Sequence, residues 1–215
     1  DVYKRQALQR GYASGASAIA GITSVAYASS SIAIGAGSAV ASTATAATAL
    51  GPRALATNIG QFAFGYVQSL PTALSAGQAQ INMQGFYVIT TDATNTPLNI
   101  DNNAASRMVI PATRSCAFFG IVQAMCNVSI SSTFVKAWRI EGVITRDGNN
   151  TTRIVGTPAI TEMAKDTDGT ATPSTWSIST ITADDTNESL SINVIGQANT
   201  TIRWQASLFY SQVGP

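Results

Sequence analysis

Histidine is absent from the 215 residues. With it go the Ser-His and Cys-His nucleophile pairs and the commonest metal ligand. Charge is scarce too. Charged residues make up 11% of the chain, against roughly 25% in an average globular protein. The net charge is +1 and no basic block occurs. The clustered cationic face that nucleic acid requires is therefore missing, and no nucleic-acid partner is expected. No run of 18 strongly apolar residues exists, so no membrane insertion is expected. Cysteine is limited to Cys116 and Cys126. If residues 115–131 form one strand, the two lie on the same face roughly 33 Å apart, far beyond the ~7 Å Cα limit of a disulfide. Buried free thiols are the expectation, and neither a metal nor a cofactor is implied.

What the chain has in quantity is Ala, Ser, Thr, Gly and Asn. Between Tyr12 and Thr91 the only charged residue is Arg53. This stretch repeats itself. Val25-Ala26-Tyr27-Ala28, Ile32-Ala33-Ile34-Gly35, Thr48-Ala49-Leu50-Gly51 and Phe62-Ala63-Phe64-Gly65 share one pattern, with Ala in second place and a small residue closing each unit. The closing residues fall 7, 16 and 14 positions apart. A coiled coil would need large apolar residues twice per heptad with charges beside them, and neither is present. Short units punctuated by Gly fit the rungs of a β-solenoid, each covering its neighbour.

These residues resemble the head repeats of YadA-like trimeric autotransporter adhesins. The likeness covers residues 16–70 or so and departs from the family pattern over residues 38–46, where Gly punctuation is lost. It implies a left-handed parallel β-roll, three chains packed side by side, and an adhesive role. No segment resembles the membrane barrel that anchors that family, which counts against a complete autotransporter. Residues 1–11 read as a tail whose first residues are non-native, translated adapter sequence. A signal peptide is the alternative, although Ser14, Gly15, Ser17 and Gly21 interrupt its apolar run. Residues 12–69 form the β-roll. Residues 70–78, with Pro71 and Gly77, form a neck.

Residues 79–215 change character to alternating strands split by polar turns. In the segment from Cys116 onward the even positions Cys116, Phe118, Val122, Ala124, Cys126 and Val128 are one apolar face. Its first half, with Ala117, Phe119 and Ile121 at odd positions, is expected to be buried on both faces. Asp147-Gly148 between alternating runs signals a hairpin. Trp138, Trp176 and Trp204 are each in phase with an apolar face and belong to the core. Eight to ten strands at this spacing suggest an antiparallel, jelly-roll-like β-sandwich. The overall fold class is all-β.

The strands around Trp138, Trp176, Leu190 and Trp204 resemble the C-terminal tip domains of bacteriophage tail-fibre and related virion proteins. That implies a trimeric knob touching the host surface. Small residues in the roll would let chains approach closely, so a homotrimer is expected, with avidity at the tip. The partners implied are a host cell-surface glycan or protein, and other virion tail proteins. The candidate contact residues lie in three turns: Asp147, Asn149 and Asn150; Asp166 and Asp168; Asp184, Asp185 and Asn187. Asp166-Thr-Asp168-Gly169 matches the start of a calcium loop but lacks the downstream acidic ligand. Most carboxylates sit in turns, where Asp is favoured, so a non-enzymatic virion fibre is expected. A bacterial trimeric adhesin is the second reading, and a polysaccharide-cleaving spike the third.

Overall fold

A computed structural model describes residues 10–11, 17–19, 24–66, 76–129 and 132–215. Most of the expected neck, and residues 1–9 and 12–16 of the N-terminal region, lie outside the described residues. All sheets are open, and no α-helix occurs among the described residues. No helix there is long and apolar enough to cross a membrane. The chain divides into two compact units. One holds Asp1–Gln84, Pro111–Cys116 and Phe209–Pro215; the other holds Gly85–Ile110 and Ala117–Leu208.

The first unit contains short strands that alternate between two parallel sheets. β1 (Arg10–Gly11), β3 (Val25–Ala26), β5 (Ala39–Val40) and β7 (Leu55–Ala56) form one sheet. β2 (Ser17–Ile19), β4 (Ile32–Ile34), β6 (Thr48–Leu50) and β8 (Phe62–Gly65) form the other. The repeat units starting at Ile32, Thr48 and Phe62 stack in register. The unit starting at Val25 belongs to the opposite sheet, paired with Ala39 and through it Leu55. The sequence pattern had merged these two series, because the x-Ala-x signature is the same in both sheets.

Burial explains the pattern. A strand shows alternate residues to opposite faces, and in each rung the central Ala points inward. The apolar part of the described interior is nine alanines and one valine, Ala26, Ala28, Ala33, Val40, Ala44, Ala47, Ala49, Ala54, Ala56 and Ala63, with Ser24, Ser31 and Ser38 buried beside them. The small residues therefore line the inside of the unit. The expectation that they mediate packing between chains is reversed. The large residues face outward in two rows, Ile32–Thr48–Phe62 and Ile34–Leu50–Phe64. Between rungs the backbones close tightly. A Cβ on Gly35 would fall 2.6 Å from the Gly51 carbonyl carbon, so Gly recurs at this position.

The first half of β9 (Ala79–Thr90) ends the stack. It pairs antiparallel with β8, setting Met83, Asn82 and Ile81 beside Phe62, Ala63 and Phe64. Its inward residues are amides rather than alanines. Gln80, Asn82 and Gln84 are buried. Gln80 and Gln84 meet backbone groups of Leu55 and Ile59, and Asn82 bonds the side-chain amides of Gln61 and Gln80.

The second unit has two layers. In one, the strand order is β14 (Thr152–Lys165), β13 (Ser132–Arg146), β12 (Arg114–Ser129), β17 (Ile202–Val213) and β9. In the other, β16 (Ser189–Ile195) is central. β15 (Ser177–Asp184) pairs along one edge, and β10 (Asn95–Pro97) and β11 (Met108–Val109) pair with it as well. The three tryptophans are buried, and the Trp138 and Trp204 rings stack at 5.6 Å. Even-numbered β12 residues from Cys116 to Cys126 face the core as the alternation requires. The odd positions do not follow the two-sided expectation. Phe119 and Ile121 are 57% and 42% exposed. Local apolarity had suggested a covering layer, but only one face of this sheet is covered by the described residues.

Candidate functional site

The three turns nominated from sequence separate into two places. Residues 147–151 close the β13–β14 hairpin. Asp147 organises that turn, its Oδ1 accepting from the amides of Asn149 and Thr151 at 2.8 and 2.9 Å. Asp side chains favour this Asx geometry because the carboxylate replaces a backbone acceptor. Asn150 takes the left-handed conformation, φ 64°. The turn 184–188 joins β15 to β16. There Asp184 accepts from the Asn187 backbone amide at 3.1 Å and from its side-chain amide at 2.8 Å.

These two turns are tied together. The Thr152 amide donates to Asp185 Oδ1, and the Thr152 hydroxyl donates to Glu188 Oε2. Arg146 is the hub. Its Nη2 donates to Asn150 Oδ1 at 2.8 Å, its Nη1 to the Ile110 carbonyl at 3.0 Å, and its Nε lies 3.3 Å from Glu188 Oε2. Arg107 completes the group with a 2.9 Å ion pair to Asp184. Burial works to raise the Asp184 carboxyl, but hydrogen bonds from Asn187 and Thr186 and the Arg107 charge together hold it below the ordinary carboxylate value. The result is a braced platform. Asp147, Asn149, Asn150, Asp185 and Asn187 are exposed on it.

Residues 166–174 lie elsewhere. Asp166 accepts from the Val135 amide at 2.7 Å, near the start of β13. Val135 and Arg146 are eleven residues apart on one strand, so the two places are about 36 Å apart. Asp168 accepts from the Ser174 amide at 2.9 Å and from the Ser174 hydroxyl. The hydroxyl bond foremost holds the Asp168 carboxyl below its usual value. Both aspartates of the calcium-like motif thus receive amide donors. Among the described residues no three His, Cys, Asp or Glu side chains are grouped to hold a metal ion.

Sequence reasoning missed Arg107, Arg146 and Thr152. A signal was present: Arg146 directly precedes the Asp147 turn, and Thr152 directly follows it. Nothing local marks them as partners of residues 184–188. Both cysteines are free and buried. Burial pushes the Cys116 thiol up to about 12, with Arg114 opposing.

No protein-family model matches the chain, and no curated protein matches it. Among solved structures it is similar to the tailspike protein gp49 of Acinetobacter baumannii bacteriophage Fri1, described as a capsular polysaccharide depolymerase. That match has 11% identity and a TM-score of 0.30, and covers 89% of this chain and 36% of the spike. It is also similar to the tailspike protein of Acinetobacter phage vB_ApiP_P1, with 13% identity and a TM-score of 0.25, covering 94% of this chain and 39% of that one. The chain therefore spans less than two fifths of either spike. The expectation of a non-enzymatic chain is corrected by this comparison, since the Fri1 spike is named as an enzyme.

Proposed function

We propose that this chain is part of a phage tail protein that attaches the virion to the host surface. In this reading the first unit is a left-handed β-roll shaft, the second a jelly-roll-like tip, and the assembly a homotrimer. The site is the platform built from residues 147–152 and 184–188, and its ligand is a surface polysaccharide. One observation carries the reading. Two turns 33 residues apart in sequence are braced by Thr152, which bonds both Asp185 and Glu188. A weak ligand is held best by polar groups that are ordered before it arrives, because less entropy is lost on binding. Exposed Asn and Asp side chains supply the donors and acceptors that sugar hydroxyls match.

A second reading has its own observation. Asp185 and Glu188 receive the N–H and the O–H of one residue, Thr152. Their carboxylates are therefore within about 8 Å of each other, a bound that overlaps the ~5–9.5 Å range over which carboxylate pairs flank a glycosidic bond. A platform that cleaves the polysaccharide it binds is the second reading this spacing supports.

The test uses the full chain against a panel of purified bacterial capsular and O-antigen polysaccharides, reading binding by biolayer interferometry and cleavage by reducing-end release. Asn149→Ala with Asn187→Ala is expected to weaken binding at least tenfold. Equal binding by that variant would remove the platform as the site. Loss of reducing-end release in Glu188→Gln with binding retained would support cleavage; no release from any bound polysaccharide would leave attachment alone.

A further inference from the structure

In the first unit the usual distribution of residue sizes is inverted. The interior is alanine, while Ile32, Phe62, Phe64, Ile81 and Met83 are 36–49% exposed on one sheet face. The register makes this face continuous. Ile32, Phe62 and Met83 share one row, and Phe64 pairs with Ile81 in the other. An alanine interior removes little apolar area from water per residue, and ordering each residue costs about 1–2 kcal/mol. The large side chains that would offset this are on the outside.

No charged residue occurs in β4, β6, β8 or residues 79–84. That decides between occupants. Copies of one face packed about a common axis bring like charges near like charges, unless there are none. An uncharged face offers nothing to a partner chosen by charge complementarity, and nothing that opposes a second copy. Area points the same way. The five residues, with exposed Phe209 and Val213 on the next strand, β17, leave bare on the order of 500 Å², at the upper end of what a monomer exposes. Three such faces packed about one axis together remove about 1,500 Å² from water, within the ~1,200–2,000 Å² of a standard specific interface.

We propose that copies of this chain pack against one another through the outer face of the β4–β6–β8–β9 sheet, with Phe64 and Ile81 at its centre. This rests on the homotrimer reading and names the surface that would make it.

The experiment combines mass and accessibility. Native mass is measured by light scattering on a size-exclusion column for the full chain and for Phe64→Glu, with circular dichroism to establish that β structure is retained. Ile81→Cys is labelled with a maleimide, using Asn149→Cys as the exposed reference. The expected result is a wild-type mass near three chains, a single-chain mass for Phe64→Glu, and labelling of Ile81→Cys at least tenfold slower than the reference. Because Ile81→Cys reads protection directly, the proposal stays testable if Phe64→Glu fails to fold. A multi-chain wild type in which Ile81→Cys labels as fast as Asn149→Cys would overturn this face and leave the trimer reading standing. A wild type that runs as one chain would overturn both, and slow labelling in that case would mean that a segment of the same chain covers the face.

Discussion

Gln80 bonds the backbone of Leu55 where, among the described residues, no further strand pairs. Its Oε1 accepts from the Leu55 amide and its Nε2 donates to the Leu55 carbonyl, both at 2.9 Å. Leu55 lies in β7, the last strand of its parallel sheet. One primary amide thus supplies the donor and acceptor that the next rung would have provided. Gln84 does half of the same for the Ile59 carbonyl, at 2.9 Å. Gln61 receives the Thr57 and Asn58 amides at 2.7 and 3.0 Å. Asn82 joins Gln61 and Gln80 through its Oδ1. Open strand edges invite pairing with other chains, and this cluster closes one.

Replacing Gln80 tests the closure. Gln80→Leu takes these partners from the part-buried Leu55 N–H and C=O, each such loss costing about 1–3 kcal/mol. The urea midpoint is expected to fall by an amount equivalent to roughly 3 kcal/mol. Gln80→Glu keeps the acceptor but sets an anion against a carbonyl, so its deficit is expected to be larger at pH 7 than at pH 4.

Two glycines separate backbone strain from close contact. Gly60 has φ 63° and open space where a Cβ would stand. Gly51 has φ 89°, and its Cβ would overlap the Gly65 carbonyl oxygen. Gly60→Ala is expected to cost about 1 kcal/mol, the ordinary left-handed penalty. Gly51→Ala forces rungs apart and is expected to exceed about 3 kcal/mol. Thermal unfolding of both variants side by side measures the difference.

The cysteines give a redox prediction. Burial raises both thiols, Cys116 to about 12, and thiolate is the reactive form. Iodoacetamide at pH 8 is expected to modify neither in the native chain and both after unfolding in urea without reductant. A chain that stays unlabelled after unfolding would carry a disulfide instead.

Stability is expected to fall at both ends of the pH scale. Asp184 has a depressed folded value. Its contribution is complete above the unfolded carboxyl value near 4 and is lost as pH falls through the folded value. Asp184→Asn is expected to flatten that acid limb, by no more than about 1 kcal/mol for so accessible a pair. Tyr210 is displaced upward, first by burial and then by Cys116, with the amides of Asn58 and Gln61 opposing. Its contribution is complete below the unfolded value near 10 and is lost as pH rises beyond it. Urea titrations from pH 3 to 11 on the wild type and Tyr210→Phe read both limbs.

Much of the strand content was legible. The x-Ala-x units at Ile32, Thr48 and Phe62, the buried even face from Cys116, and the Asp147 hairpin each carry their signal within a few residues. The Phe119 face misled because apolar character shows what a residue tolerates, not what lies over it. The rung at Ala39 was obscured because its turns use Ala46, at φ 56°, where Gly60 serves one rung later. The candidate site was half legible. Asp and Asn marked the turns, but nothing local said which turns would meet.

The sequence alone determined the β class and the small–large alternation of the rungs, since strand geometry fixes those locally. Tertiary structure decided the rest: that the small residues of the rungs turn inward, that the rungs alternate between two sheets, that amides close one of them, that residues 147–152 join 184–188 while 166–174 sit about 36 Å away. Each of these depends on a register or a hydrogen bond between residues far apart in the chain. Loop closure over such distances is governed by the whole fold and leaves no local mark.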